Sequence, residues 1–276
     1  MYYALFLHNI FFMRQLISLF CLWMMISCNT KDPETAPTPQ TDTVSQEASL
    51  RAAVKQYPDS ISLLENLVEY YSNNDQNPVA LNYIDSAIAK DSSNPRLWDM
   101  QSVVLVAQAD TAHAITALEH AIELYPDAQY VISLGALYAE TKNVKALAMA
   151  DALLNADKAH ANKEAFFIKG LYYSFSNLKE KAIPFFDKAL AEDYGFMHAY
   201  LEKALALYDL KRYREAADVL NKAVTLQNNF DEGYYYLGQC YEKMGQKEDA
   251  ANAYRKALMY DPDYTEASDA LARLQM

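Results

Sequence analysis

Residues 231–264 read DEGYYYLGQCYEKMGQKEDAANAYRKALMYDPDY. Tyr234, Gly238 and Tyr241 follow one another at steps of four and three, and Ala250, Tyr254 and Ala257 repeat those steps downstream. Such steps place residues on one face of a helix, so the stretch holds two helices in succession. Asp261-Pro262-Asp263 closes it, because proline stops one helix and aspartate offers a cap to the next.

The same thirty-four residues recur upstream. Alanine stands at Ala80, Ala114, Ala148, Ala182, Ala216 and Ala250, each 34 residues after the last. Seven residues further come Ala87, Ala121, Asn155, Ala189, Ala223 and Ala257, and four residues on come Ile84, Leu118, Ala152, Phe186, Leu220 and Tyr254. These three positions define the packing face of the second helix of each unit. Twelve residues before each leading alanine stand Ser102, Ala136, Gly170, Ala204 and Gly238, with the bulkier Val68 in the first unit. Small residues there let two helices approach closely. Trp98, Phe166, Tyr200 and Tyr234 occupy the large position four before them.

This pattern resembles the tetratricopeptide repeat, and Tyr234, Leu237-Gly238, Tyr241, Ala250, Tyr254, Ala257 and Pro262 match its consensus. The resemblance covers residues 61–264 as six repeats and implies an all-α fold, a right-handed solenoid of stacked helix-turn-helix units. Repeat three, residues 129–162, departs from it: Leu134-Gly135 and Tyr138 come one residue early and Asn155 replaces an alanine, so an irregularity is expected near Asp157 to Asn162. A solenoid must cover its ends. Residues 265–276, with Ala267, Leu271 and Leu274 on one face, are expected to cap the last repeat; residues 43–60 are expected to hold a lone helix packing through Leu50, Ala53 and Val54.

The resemblance also implies that the first helices line a concave groove. The positions it assigns there include Phe167, Leu171, Phe175, Tyr208, Glu232, Tyr235, Tyr236, Gln239 and Glu242, with Glu164, His198, Glu202 and Asp209 beside them. Aromatic faces supply contact area and accept cations, so the expected partners are proteins or peptides of apolar and basic character. The lysines and asparagines with which some family members clamp a partner's terminal carboxylate are replaced here by Phe, Tyr and Glu.

The amino terminus is a different material. Residues 1–27 hold one charge, Arg14, followed by the apolar run Leu16 to Ile26, which is shorter than the roughly 20 residues a bilayer span needs and is built like a signal peptide. A start at Met13 would give a compact charged n-region; either start leaves the same segment. Met25-Ile26-Ser27-Cys28 resembles the lipobox of bacterial lipoproteins, with Met where Leu is usual and Ile where a small residue is usual. Cys28 is therefore the expected lipidation site, and the looser box and the following Lys31-Asp32-Pro33-Glu34 resemble those of the Bacteroidetes. Residues 28–42, with Pro33, Pro37 and Pro39, read as a linker stiffened towards polyproline II. Cys21 would leave with the signal, which leaves Cys240 in a helical core position and no disulfide within the mature chain.

Composition sets the remaining limits. Only 6 Gly and 9 Pro, with 52% apolar residues, favour a helical fold with a substantial core. The net charge is −12; with the signal removed, 24 basic residues less Arg14 stand against 36 acidic ones, or −13, which disfavours nucleic acid. No cofactor is expected. His113 and His120 lie two helical turns apart, about 10 Å, too far to share a metal ion. Phosphate-binding glycine loops, paired metal-ligand motifs and nucleophile elbows do not occur. The expectation is a non-enzymatic assembly scaffold, anchored by lipid in the outer membrane and facing the periplasm or the cell surface. The alternative is a surface lipoprotein that binds an extracellular ligand such as a glycan.

Overall fold

The computed structural model describes residues 40–156 and 161–274, with side chains from residue 46. Cys28, the signal segment and most of the linker lie outside the described residues. Among those described, the chain forms fourteen helices and no strand: α1 Gln40–Gln56, α2 Ile61–Asn73, α3 Asn77–Lys90, α4 Pro95–Ala107, α5 Thr111–Leu124, α6 Ala128–Glu140, α7 Lys145–Ala156, α8 Asn162–Phe175, α9 Lys179–Glu192, α10 Met197–Asp209, α11 Tyr213–Leu226, α12 Asp231–Lys243, α13 Lys247–Tyr260 and α14 Thr265–Leu274. The described residues fall into two compact units, divided between Tyr130 and Val131. Helix α1 begins at Gln40, so residues 40–42 are helical where the linker was expected to continue. Pro39 is the last residue ahead of them that would interrupt a helix.

Each repeat turns between its two helices in the same way. A residue in the left-handed region ends the first helix at Asp75, Ala109, Lys142, Asn177, Lys211 and Gly245. The next residue donates its backbone N–H five residues back, from Gln76 to Tyr71, Asp110 to Leu105, Asn143 to Tyr138, Leu178 to Tyr173, Arg212 to Leu207 and Gln246 to Tyr241, at 2.7–2.9 Å. This closure satisfies carbonyls that a helix end leaves open. Only Gly245 takes the conformation without a Cβ; elsewhere its cost is met by the packing on either side.

In the first unit, Leu64, Leu67, Val68 and Tyr71 of α2 meet Ala80, Ile84 and Ala87 of α3, with Leu97 of α4 completing the core. Leu50 and Val54 of α1 pack against it, as their helical spacing suggested. The Tyr71 hydroxyl donates to Glu47 at 2.8 Å and its ring stacks on Tyr83 at 5.5 Å, tying α1 to the repeat.

In the second unit, small residues of the first helices receive large ones of the second. A Cβ on Gly170 would come 2.5 Å from the ring of Phe186, and one on Gly238 2.5 Å from that of Tyr254. The leading alanines Ala182, Ala216 and Ala250 are fully buried, with Phe186, Leu220 and Tyr254 one turn on. Phe196, Phe230 and Tyr264, the last residues of repeats four to six, close each repeat beneath its first helix. Phe196 sits 4.9 Å from Phe167 and Tyr264 5.0 Å from Tyr235, ring to ring. The last helix caps the unit through buried Ala267 and Ala270, with Leu271 and Leu274 alongside, and Arg273 reaches Glu242 at 3.0 Å.

Repeat three is where the sequence ladder misleads. Ala148, Ala152 and Asn155 are exposed; the packing face of α7 is Ala146, Ala150 and Leu153, two residues earlier. Lys142 holds the left-handed position one residue ahead of the 34-residue series. One residue is thus lost in the first helix and one more in the turn, and both are regained before α8. The segment 157–160, which contains most of the expected irregularity, lies outside the described residues. Asn155 replaces no core alanine, because its position is not a core position.

A second set of side-chain pairs recurs at the 34-residue interval. Lys188 lies over Phe166 at 5.5 Å, Lys222 over Tyr200 at 5.7 Å and Lys256 over Tyr234 at 5.1 Å, each pair one repeat after the last. In repeat two the corresponding pair is Trp98 with His120, whose rings are 4.8 Å apart. His120 is therefore an aromatic neighbour on a helix surface, while His113 binds Asp110, the cap of its own helix, at 2.8 Å. Among the described residues no three side chains of metal-ligating type converge.

Candidate functional site

The nine side chains assigned to the groove divide by burial. Phe167 is 3% exposed, between Phe186 and Phe196, and Leu171 is fully buried. Both are core residues of repeat four, so neither offers a partner any surface. Helices α9 and α10 close over that side of α8, which spacing along one helix does not show. Tyr235 is 7% exposed, packed by Tyr236, Tyr254 and Tyr264, and its hydroxyl accepts from Gln239 Nε2 at 2.6 Å. Glu242 accepts from Tyr254 at 2.5 Å and from Arg273 at 3.0 Å. That carboxylate fastens the capping helix and is engaged within the chain.

Phe175, Tyr208, Glu232, Tyr236 and Gln239 remain half-exposed on the first-helix face of the second unit. Tyr208 packs edge-on against Tyr213 at 5.1 Å, and burial pushes its hydroxyl up to about 12. Helix α12 contributes the densest part of the surface. Glu232, Tyr235, Tyr236 and Gln239 stand at steps of three, four and seven, hence on one stripe.

Repeats four to six present a titratable residue at the second residue of the repeat: Glu164, His198 and Glu232. Burial raises the carboxyl of Glu164, and one of its oxygens is buried without a hydrogen bond. Burial lowers His198, keeping the imidazole neutral beside Phe196. Glu232 is raised by burial and then by the neighbouring Asp231; no hydrogen bond or ion pair reaches its carboxylate among the described residues. A desolvated carboxylate without a partner is costly, and folds rarely retain one that does nothing.

Tyr264 belongs to this surface and was missed in the sequence, because it lies outside the first helices. The recurrence of Phe196, Phe230 and Tyr264 at 34-residue intervals was the available signal. Burial first, and then neighbouring Tyr236, Glu232, Tyr235 and Glu266, raise the Tyr264 hydroxyl far above its ordinary range, so the phenol stays protonated. Elsewhere in the second unit, a surface notch of about 400 Å³ is lined by Asp187, Tyr200, Lys203, Asp218 and Lys222, from α9, α10 and α11. None of the nine assigned residues lines it.

Family models for the tetratricopeptide repeat match residues 163–194, 204–245 and 231–264. The chain is 26% identical over 192 residues to a DnaJ homolog subfamily C member 7 homolog of Dictyostelium discoideum, covering 68% of this chain and 32% of that protein. It is 32% identical over 107 residues to an Hsp70-Hsp90 organizing protein of Triticum aestivum, covering 39% of this chain and 17% of that one. The matches thus span less than a third of the length of either relative. Among solved structures, a tetratricopeptide repeat protein from Parabacteroides merdae superposes with a TM-score of 0.71 at 18% identity, over 86% of this chain and 94% of that one. A thermophilic TPR protein of Thermus thermophilus superposes with a TM-score of 0.55 at 18% identity, over 66% and 98%. These likenesses establish the all-α repeat fold.

Proposed function

Because the chain is built of tetratricopeptide repeats, we propose that it is a non-enzymatic interaction scaffold that receives a partner's peptide segment on the first-helix face of its second unit. The observation that carries this reading is the half-exposed stripe of Glu232, Tyr236 and Gln239 on α12, with an unpartnered carboxylate at its end. Tyrosine presents a large, stiff, amphipathic surface, which suits recognition of short segments. The related Hsp70-Hsp90 organizing protein supports a protein or peptide as the class of partner.

The same proposal places the chain at a bacterial outer membrane, tethered through lipid on Cys28. The lipobox-like Met25-Ile26-Ser27-Cys28 and the proline-containing stretch behind it support this. A thioether-linked diacylglycerol with a further acyl chain exceeds the two hydrophobic signals that stable anchoring needs. Labelled palmitate incorporated by the wild type and absent from Cys28→Ser supports the tether; equal labelling of both removes it.

Site-specific photocrosslinking in cells tests the binding face. A benzophenone side chain at Gln239 is expected to capture defined protein segments, and one at exposed Met259 is not. The same captured segments from both positions, or none from Gln239, would contradict the assignment.

A further inference from the structure

One corner of this face gathers aromatic rings near a carboxylate. Tyr236 stands edge-on to Tyr235 at 5.1 Å and 68°, and Tyr264 meets Tyr235 at 5.0 Å and 39°. Both rings thus meet Tyr235 at an angle rather than in a flat stack. Helix α12 supplies Glu232 one turn before Tyr235 and Tyr236, and Tyr264 enters from the turn between α13 and α14. Burial raises the Tyr264 hydroxyl first, and the charge of Glu232 is among the neighbours that raise it further.

Resting on the proposed binding face, we propose that Glu232, Tyr236 and Tyr264, backed by the buried ring of Tyr235, form a receptor for one cationic side chain, an arginine or lysine of the partner segment. Ring faces attract a cation through their quadrupole, most strongly where water is excluded. Glu232 supplies the counter-charge and is desolvated in advance, so the incoming cation relieves a cost the fold already carries. Three other carboxylates in this unit are engaged by cations: Asp193 holds Lys163 at 2.6 Å, Asp187 holds Lys203 at 2.6 Å, and Glu242 holds Arg273 at 3.0 Å. Among the described residues Glu232 has no such cation. The chain's overall charge of −12 favours the approach of a basic segment.

The test uses the purified chain with N-acetylarginine amide and the neutral, nearly isosteric N-acetylcitrulline amide, read by NMR of labelled tyrosine rings. The arginine probe is expected to shift Tyr235, Tyr236 and Tyr264 saturably, with citrulline weaker by about tenfold or more. Glu232→Gln is expected to abolish the difference while its circular dichroism matches the wild type, and N-acetyllysine amide to follow the arginine probe. Equal binding of arginine and citrulline to the wild type, or discrimination that survives in Glu232→Gln, would overturn the proposal. Crosslinks at Gln239 without arginine binding would remove the receptor and leave the binding face standing; arginine binding without crosslinks would do the reverse.

Discussion

The ring of Tyr254 lies against Gly238, so closely that a Cβ on the glycine would stand 2.5 Å from a ring carbon. Phe186 and Gly170 repeat the arrangement two repeats earlier at the same distance. Gly238→Ala and Gly170→Ala are each expected to destabilise by about 1–3 kcal/mol through overpacking, net of the roughly 1 kcal/mol that alanine returns within a helix. Urea unfolding reads the change. Gly195→Ala, where a Cβ would meet only Asp193 Oδ1 at 3.3 Å, is the control expected to change little.

Repeat three supplies a paired test of register. Ala146 is fully buried and Ala148 is exposed, although Ala148 is the one in step with the 34-residue series. Ala148→Glu is expected to stay within about 0.5 kcal/mol of the wild type and Ala146→Glu to cost at least about 3 kcal/mol. The reverse order in a thermal melt would restore the undisturbed period.

This repeat also marks the limit of what could be read beforehand. Five repeats were legible because alanine, a large residue and alanine fall at steps of four and three and nothing nearby imitates them. In Lys145–Ala156 alanines stand at 146, 148, 150, 152 and 156, so a face shifted by two residues still finds alanine to occupy it. Composition concealed the slip. The early Leu134-Gly135 and Tyr138 announced half of it, and the left-handed Lys142 bears that half out. The binding surface was less legible. Repeat position placed Phe167, Leu171 and Tyr235 on the open face, yet neighbouring helices bury all three, and burial is set by neighbours rather than by spacing. Glu242 likewise gave no sign in sequence that Tyr254 and Arg273 would claim it.

The lysine ladder over Phe166, Tyr200 and Tyr234 is expected to contribute about 0.5–1 kcal/mol per pair, since the lysines themselves are exposed. Lys188→Gln, Lys222→Gln and Lys256→Gln together are expected to lower stability by about 2 kcal/mol, since each pair belongs to a different repeat and separate sites add. Chemical denaturation of the single and triple variants checks both size and additivity.

Glu232 couples the surface to pH. Its folded carboxyl is raised above its ordinary value by burial and by Asp231. The folded state therefore holds the proton more tightly than the unfolded state, and stability falls as pH climbs from the ordinary carboxylate range through the raised folded value. Glu232→Gln is expected to raise the melting temperature at pH 7 and to lose that advantage towards about pH 4, where both states are largely protonated. An advantage that grows on acidification would show that the carboxylate is stabilised in the fold. A variant that gains stability as it loses cation binding is the behaviour of a functional group held at a cost.

The most direct measurement of the central claim is calorimetric binding of the segment captured at Gln239 to three proteins: wild type, Tyr236→Ala and Lys256→Gln. Tyr236 lies on the proposed binding face, whereas Lys256 of α13 lies over Tyr234 and is none of the residues assigned to that face. Tyr236→Ala is expected to weaken binding by about tenfold or more, as truncation of an aromatic anchor does, while Lys256→Gln leaves it unchanged. Unaltered affinity in Tyr236→Ala, or a loss confined to Lys256→Gln, would place the partner on another surface and contradict the account.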